Sequence, residues 1–206
     1  MDSIKTQIHE LVELVSFYRE TGRNVLNSFF LHTVFIGNPG TGKTTVARIL
    51  TKIYKTLGML ERGHIVETDR QGLVAGYVGQ TAIKVDEVVN SALDGVLFID
   101  EAYSLSGNHN QTDFGNEAIE TLLKRMEDNR KNLVVVVAGY PDEMKDFIQS
   151  NPGLQSRFNR YYTFDHYQGI ELLEIFEMFA NKADFVLTED ARDKLLEIFE
   201  RLYEKK

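Results

Sequence analysis

The sequence predicts an α/β fold on a parallel five-stranded sheet, followed by a smaller helical unit. Three observations carry this expectation. Short apolar runs at 33–36, 95–99 and 133–138 are separated by amphipathic stretches of helical period, the pattern of strands joined by crossover helices. Between the first run and Val46-Ala47-Arg48-Ile49-Leu50 stands Gly37-Asn38-Pro39-Gly40-Thr41-Gly42-Lys43-Thr44, so strand, glycine turn, lysine, hydroxyl and helix follow one another as in a phosphate-binding loop. From about residue 169 the pattern turns purely helical.

The elements follow in order. Residues 4–19 place Ile4, Ile8, Leu11, Leu14, Val15 and Tyr18 at helical spacing. Strand one covers 32–37 and a long helix 43–57. His64 to Thr68 reads as a short second strand. Thr81 is the expected cap of a helix over 82–92, because a hydroxyl ahead of an apolar-periodic run satisfies its first free amides. The run 95–100 ends in an acid and suits a strand buried on both faces. Residues 104–113 are polar and read as a loop, and 115–129 as a helix with Ala118, Ile119, Leu122, Leu123 and Met126 on one face. Leu133 to Ala138 is a further buried strand, Pro141 opens a helix, and Tyr161 to Phe164 is the last strand. Two helices close the sequence, one through Leu172, Leu173, Ile175, Phe176 and Phe179. The other, capped by Thr188, runs through Leu195, Leu196, Ile198, Phe199 and Leu202.

Bulk composition narrows the function classes. The 206 residues are 43% hydrophobic and 26% charged, ordinary for a folded globular chain. Cysteine is absent, which excludes a disulfide framework and a thiolate zinc site. The five histidines show no metal-ligand spacing. Net charge is −8, which disfavours broad contact with a nucleic-acid backbone. No apolar run reaches the roughly 20 residues that span a bilayer, and the first residues lack the apolar stretch of a secretory signal. The expectation is a cytosolic protein.

Four motifs bear chemistry. Gly37, Gly40 and Gly42 admit turns that a side chain would block, so the loop amides can face phosphate oxygens. Lys43 supplies a point charge to the outer phosphates, Thr44 a hydroxyl for magnesium, and the helix its positive end. The candidate nucleotide set is Gly37, Asn38, Pro39, Gly40, Thr41, Gly42, Lys43, Thr44 and Thr45. The second motif, Asp100-Glu101, ends a buried strand, where ligands gather in open parallel sheets. There Asp100 can hold Mg2+ and Glu101 can orient and deprotonate an attacking water. Third, Arg157 and Arg160 stand three apart just before the last strand and can bind phosphate. Fourth, Gly76-Tyr77-Val78-Gly79 sets an aromatic and a β-branched residue between glycines, as in a mobile loop that makes contacts.

These strings together resemble the AAA+ ATPases. The chain is most similar to the group containing red-type Rubisco activase and the stage V sporulation protein K. The resemblance runs through His32 to Ala47, Leu73 to Ala82, Gly95 to Ser104, Phe114 to Ile119, Ala138-Gly139-Tyr140 and Asn151 to Phe158. It implies the three-layer core of P-loop NTPases over 1–167 and the N-terminal part of a truncated helical lid over 168–206. It implies a ring, usually a hexamer, with ATP and Mg2+ between subunits and Arg157 and Arg160 as trans-acting fingers. Tyr77 and Val78 would line a central pore and pull a peptide. Two departures stand out. The strand before Ala138-Gly139-Tyr140 lacks the usual Asn or Thr sensor, which leaves Tyr140 as the candidate, and the lid segment carrying a sensor-2 arginine is missing.

The function this implies is ATP-driven remodelling or threading of a protein substrate. Two alternatives stay open: a nucleotide-gated scaffold with weak turnover, and a P-loop kinase of a small molecule. Glu101 and the arginine pair argue for hydrolysis. Asn181-Lys182-Ala183-Asp184 spells a guanine-reading motif but ends an amphipathic stretch rather than following a buried strand, and Asp113-Phe114-Gly115 lacks the companion motifs of a kinase.

Overall fold

The computed structural model describes residues 2–21, 31–77, 79–106 and 114–204. The chain divides into two compact units, Asp2–Phe164 and Asp165–Lys206.

The first unit holds helix α1 (Asp2–Glu20), strand β1 (Thr33–Gly37), α2 (Lys43–Thr56), β2 (Ile65–Thr68), the short α3 (Arg70–Leu73), α4 (Gln80–Ala92), β3 (Gly95–Ile99), a 3₁₀ turn (Ala102–Ser106), α5 (Gly115–Asp128), β4 (Leu133–Gly139), α6 (Pro141–Gln149), the short α7 (Pro152–Arg157) and β5 (Arg160–Phe164). All five strands are parallel, in the order β2-β3-β4-β1-β5. β3 and β4 are buried along their whole length, which is why Gly95-Val96-Leu97-Phe98-Ile99 and Leu133-Val134-Val135-Val136-Val137 are apolar without alternation.

Side chains of the sheet feed two layers. Val34, Leu97, Ile99, Val135 and Val137 pack with Val85 and Val89 of α4, Ile119 and Leu122 of α5, and Met144 and Phe147 of α6. On the other face Phe35 lies edge-on to Phe98 and Tyr162, with ring centroids 6.5 and 5.6 Å away, and tilts over Phe164 at 4.9 Å. Such aromatic pairs add to the burial of large side chains.

The second unit contains α8 (Gly169–Lys182) and α9 (Glu189–Glu204). A capping box starts α8: the Gln168 amide donates to the Glu171 carboxylate at 2.9 Å, so the first turn is satisfied reciprocally. Thr188 caps α9, its hydroxyl accepting from Ala191 N–H at 3.3 Å. The helices run antiparallel, since the start of α8 at Gly169 abuts Glu200 near the end of α9, and Arg192 donates to Glu177 at 2.7 Å.

The structure corrects several local expectations. Thr81 is not a cap. It sits inside α4, fully buried, and its hydroxyl accepts from Ala75 N–H at 3.1 Å. The N-cap is Gly79, whose φ of 76° needs a residue free of Cβ. The polar run beginning at 104 is a 3₁₀ turn as far as Ser106, and 107–113 lie outside the described residues. Helices α3 and α7 have too few residues to show a period in sequence. Asn181 to Asp184 close α8, with Asp184 at φ 61°, which removes the guanine-motif reading.

Candidate functional site

Strand order places three chain segments side by side. β4 stands between β1 and β3, with Ile36 opposite Gly139 and Ile99 opposite Val137. Carried one or two residues further, the phosphate loop after Gly37, the Gly139-Tyr140 corner and Asp100-Glu101 all leave the sheet at the same level. Ligands of open parallel sheets collect at this carboxyl edge.

The phosphate loop is shaped by its glycines. Gly40 and Gly42 adopt φ of 73° and 91°, in the region that costs side-chain-bearing residues most. A Cβ on Gly37 would come 2.5 Å from the Phe164 carbonyl oxygen. Gly42 also caps α2, and no side chain there accepts from the first-turn amides. The helix start therefore offers backbone donors and a positive dipole end to an anion. Lys43 Nζ donates to the carbonyls of Gly37 and Asn38 at 2.7 and 2.9 Å, and Thr41 Oγ1 to Asn38 at 2.7 Å. Burial holds Lys43 below the usual ammonium range, and the Asp100 and Glu101 carboxylates pull it back up. An ammonium bound to loop carbonyls and close to two acids is where a phosphate charge is compensated. The residues thus fit a nucleotide phosphate with a divalent cation: Thr44 on the first turn and Asp100 at the strand end are hard oxygen donors of the kind magnesium takes.

Asp100 accepts at Oδ1 from Glu101 N–H at 3.1 Å and donates its own N–H to Thr68 at 2.9 Å. Glu101 itself has φ 47°, a left-handed backbone outside glycine. Such outliers cluster at functional sites because the surroundings must hold them. The Glu101 side chain is exposed and free to meet a solvent-borne nucleophile. Tyr140 follows β4 and lies against Tyr103, ring centroids 5.8 Å apart. A Cβ on Gly139 would sit 2.7 Å from both Tyr103 and Met144, so the glycine here is required by packing.

Arg157 and Arg160 lie at the other end of the sheet. Arg160 opens β5 opposite Thr33, whereas Gly37 stands opposite Phe164. Four strand steps separate them, about 13 Å at the rise of a β-strand. Arg157 closes α7 and is held by Glu127 of α5 at 3.5 Å. Beside it the buried His32 accepts from Val135 N–H at Nδ1, 3.0 Å, which leaves the proton of the neutral ring on Nε2. Burial first, then the Arg157 charge, lowers its pKa to about 4.

Tyr77 is 74% exposed, which excludes a core role. Val78 lies outside the described residues. The segment ahead of Tyr77 is tied down by contacts the sequence did not reveal. Asp69 caps α3 by accepting from Gly72 N–H at 3.0 Å, Lys84 Nζ donates to the carbonyls of Gln71 and Val74 at 2.5 and 3.1 Å, and Arg70 donates to the Ser104 carbonyl at 2.5 Å. An Asp directly before a short polar run was the one available signal, the N-cap pattern. Among the described residues no helix is long and apolar enough to cross a membrane.

Comparison with known proteins agrees with this geometry. Residues 33–166 match the family described as "ATPase family associated with various cellular activities (AAA)", and residues 168–206 match the AAA lid domain. A CfxQ homolog of Galdieria sulphuraria is 48% identical over 171 residues, 83% of this chain and 56% of that protein. The stage V sporulation protein K of Bacillus subtilis is 45% identical over 165 residues, 80% and 51% of the two chains. The ESX-3 secretion system protein EccA3 of Mycobacterium tuberculosis is 42% identical over 205 residues, 98% of this chain but 32% of the relative. The chain thus spans about a third to a little over half of these relatives. Phosphate loop, acidic strand end, parallel sheet and helical unit all point the same way: the chain belongs to the AAA ATPase family.

Proposed function

We propose that this chain is the ATP-hydrolysing section of a ring-forming AAA+ motor, with ATP and Mg2+ held between neighbouring subunits. A protein substrate is remodelled or threaded through the ring's central pore. The observation that carries this is the placement of the two arginines. Arg157 and Arg160 sit at the amino edge of the sheet while the phosphate loop sits at the carboxyl edge, so they do not serve the phosphates of their own chain. Arg157 is braced by Glu127 and Arg160 by Tyr162 within the chain. A neighbouring subunit's site is the reading that gives their charge a catalytic use, and a family of ring-forming ATPases supports it.

The roles follow from chemistry. Gly37 to Thr45 cradle the phosphates with backbone amides and the start of α2. Lys43 releases its loop carbonyls and turns its charge to the outer phosphates. Thr44 and Asp100 hold Mg2+, which when bound neutralises charge on the outer phosphates. Glu101 orients water and takes its proton. Tyr140, at the corner between loop and acids, is placed to report the outermost phosphate. Arg157 and Arg160 stabilise the charge that develops in the neighbour's site. Tyr77, with Val78, offers an exposed apolar grip on extended polypeptide.

The test is specific ATP turnover against protein concentration. A trans-acting arginine makes activity per subunit rise with assembly. Constant activity per subunit would overturn the shared site. Turnover that stays negligible in the assembled state would favour a nucleotide-gated scaffold, and turnover that requires a small phosphate acceptor would favour a kinase.

A further inference from the structure

A chain of hydrogen bonds joins the acidic strand end to the base of the Tyr77 loop. The Glu101 carbonyl accepts from Ser104 N–H at 2.9 Å. The Ser104 carbonyl accepts from the Arg70 guanidinium at 2.5 Å. The Arg70 carbonyl accepts from Val74 N–H at 2.8 Å. Three residues later the chain reaches Tyr77. The strut is built in: a Cβ on Gly115 would come 2.0 Å from the Leu105 carbonyl oxygen and 2.9 Å from Arg70 Nη1. Only glycine leaves α5 room to begin beside this contact. Lys84 and Thr81 clamp Gln71, Val74 and Ala75 from the α4 side. Beyond Ala75, a Cβ on Gly76 or Gly79 would meet no atom of the described residues within 4 Å apart from its own chain neighbours.

We infer that Arg70 is a positioning residue that couples the nucleotide state sensed at Asp100-Glu101 to the stance of the Tyr77 loop. This rests on the nucleotide site and substrate loop proposed above. A shift of the left-handed Glu101 backbone moves the Ser104 carbonyl, and the planar, multiply donating guanidinium hands that displacement to α3. The clamp from α4 holds the far side, so the movement is delivered to Gly76 and Tyr77.

The absence of cysteine makes the test direct. Gly76→Cys gives a single labelling position in open space, where an environment-sensitive dye reports loop stance. With Glu101 intact, the emissions with a slowly hydrolysed ATP analogue and with ADP are compared, and nucleotide affinity is measured separately by calorimetry. The two states should differ in emission. Arg70→Gln should shrink that difference about threefold or more, with nucleotide affinity little changed, and Arg70→Lys should restore part of it. A full difference in Arg70→Gln overturns the inference, as does an Arg70-bearing protein that binds both nucleotides without any difference. Failure of that protein to bind ATP would instead overturn the ATPase reading, and the coupling with it. Should Arg70→Gln not melt cooperatively, hydrogen exchange on the unaltered chain decides. Val74 and Ser104 amides should change protection together between ATP and ADP, and an unchanged Val74 amide contradicts the coupling.

Discussion

Thr33 and Arg160 stand opposite each other at the entering ends of β1 and β5, four residues before Gly37 and Phe164 meet at the leaving ends. One register thus fixes the phosphate loop and the arginines at opposite edges of the sheet. The division of labour proposed for the site follows from it and can be tested residue by residue.

Lys43→Ala should lose ATP binding, whereas Glu101→Gln should keep it and lose turnover. Lys43 is the loop's ammonium, already bound to the Gly37 and Asn38 carbonyls, while Glu101 faces solvent. Removing a positioned base lowers rate by ~10²–10⁴. Calorimetric binding and phosphate release measured on both variants check this, and equal loss of affinity in the two would contradict it.

Tyr77→Ala should leave thermal stability within about 0.5 kcal/mol of the parent, as for other exposed positions, and should abolish stimulation of the assembled ATPase by an unfolded polypeptide. At 74% exposure the ring has little packing to lose. A core tyrosine would cost ~3–5 kcal/mol, so a large drop in melting temperature would return Tyr77 to a structural role.

His32 should make the fold acid-sensitive. Its native pKa of about 4 lies below the ordinary 6.5, so between those values the unfolded chain binds the proton more readily. The stability from keeping it neutral is complete above pH 6.5 and is lost as pH falls towards 4, roughly 3 kcal/mol in all. His32→Asn keeps an acceptor for Val135 N–H and should flatten the melting temperature between pH 6.5 and 4. An unchanged pH slope in that variant would show that His32 does not carry the effect.

Much of this site is readable from sequence because its signals are local. Eight consecutive residues define the phosphate loop, and Asp100-Glu101 directly follows five buried apolar residues. The exposed stance of Tyr77 follows from its flanking glycines. What resists reading depends on residues far apart in the chain. Arg157 meets Glu127, Arg70 meets Ser104, and His32 meets Val135, and no periodicity links such pairs. The cap of α4 differs from the sequence expectation for a physical reason: Thr81 has the right side chain, but Gly79 has the backbone freedom, and the threonine hydroxyl satisfies Ala75 instead.

The most direct test of the shared site is to mix two inactive proteins. Lys43→Ala subunits bind no ATP but carry intact arginines, and Arg160→Ala subunits bind ATP but lack a finger worth about 10³–10⁵ in rate. In an equal mixture about a quarter of head-to-tail interfaces combine a working phosphate loop with a working arginine. ATP turnover should therefore rise well above either protein alone, towards about a quarter of the parent rate per subunit. Co-assembly of the two folded variants with no gain in turnover would contradict the account and return Arg160 to its own chain.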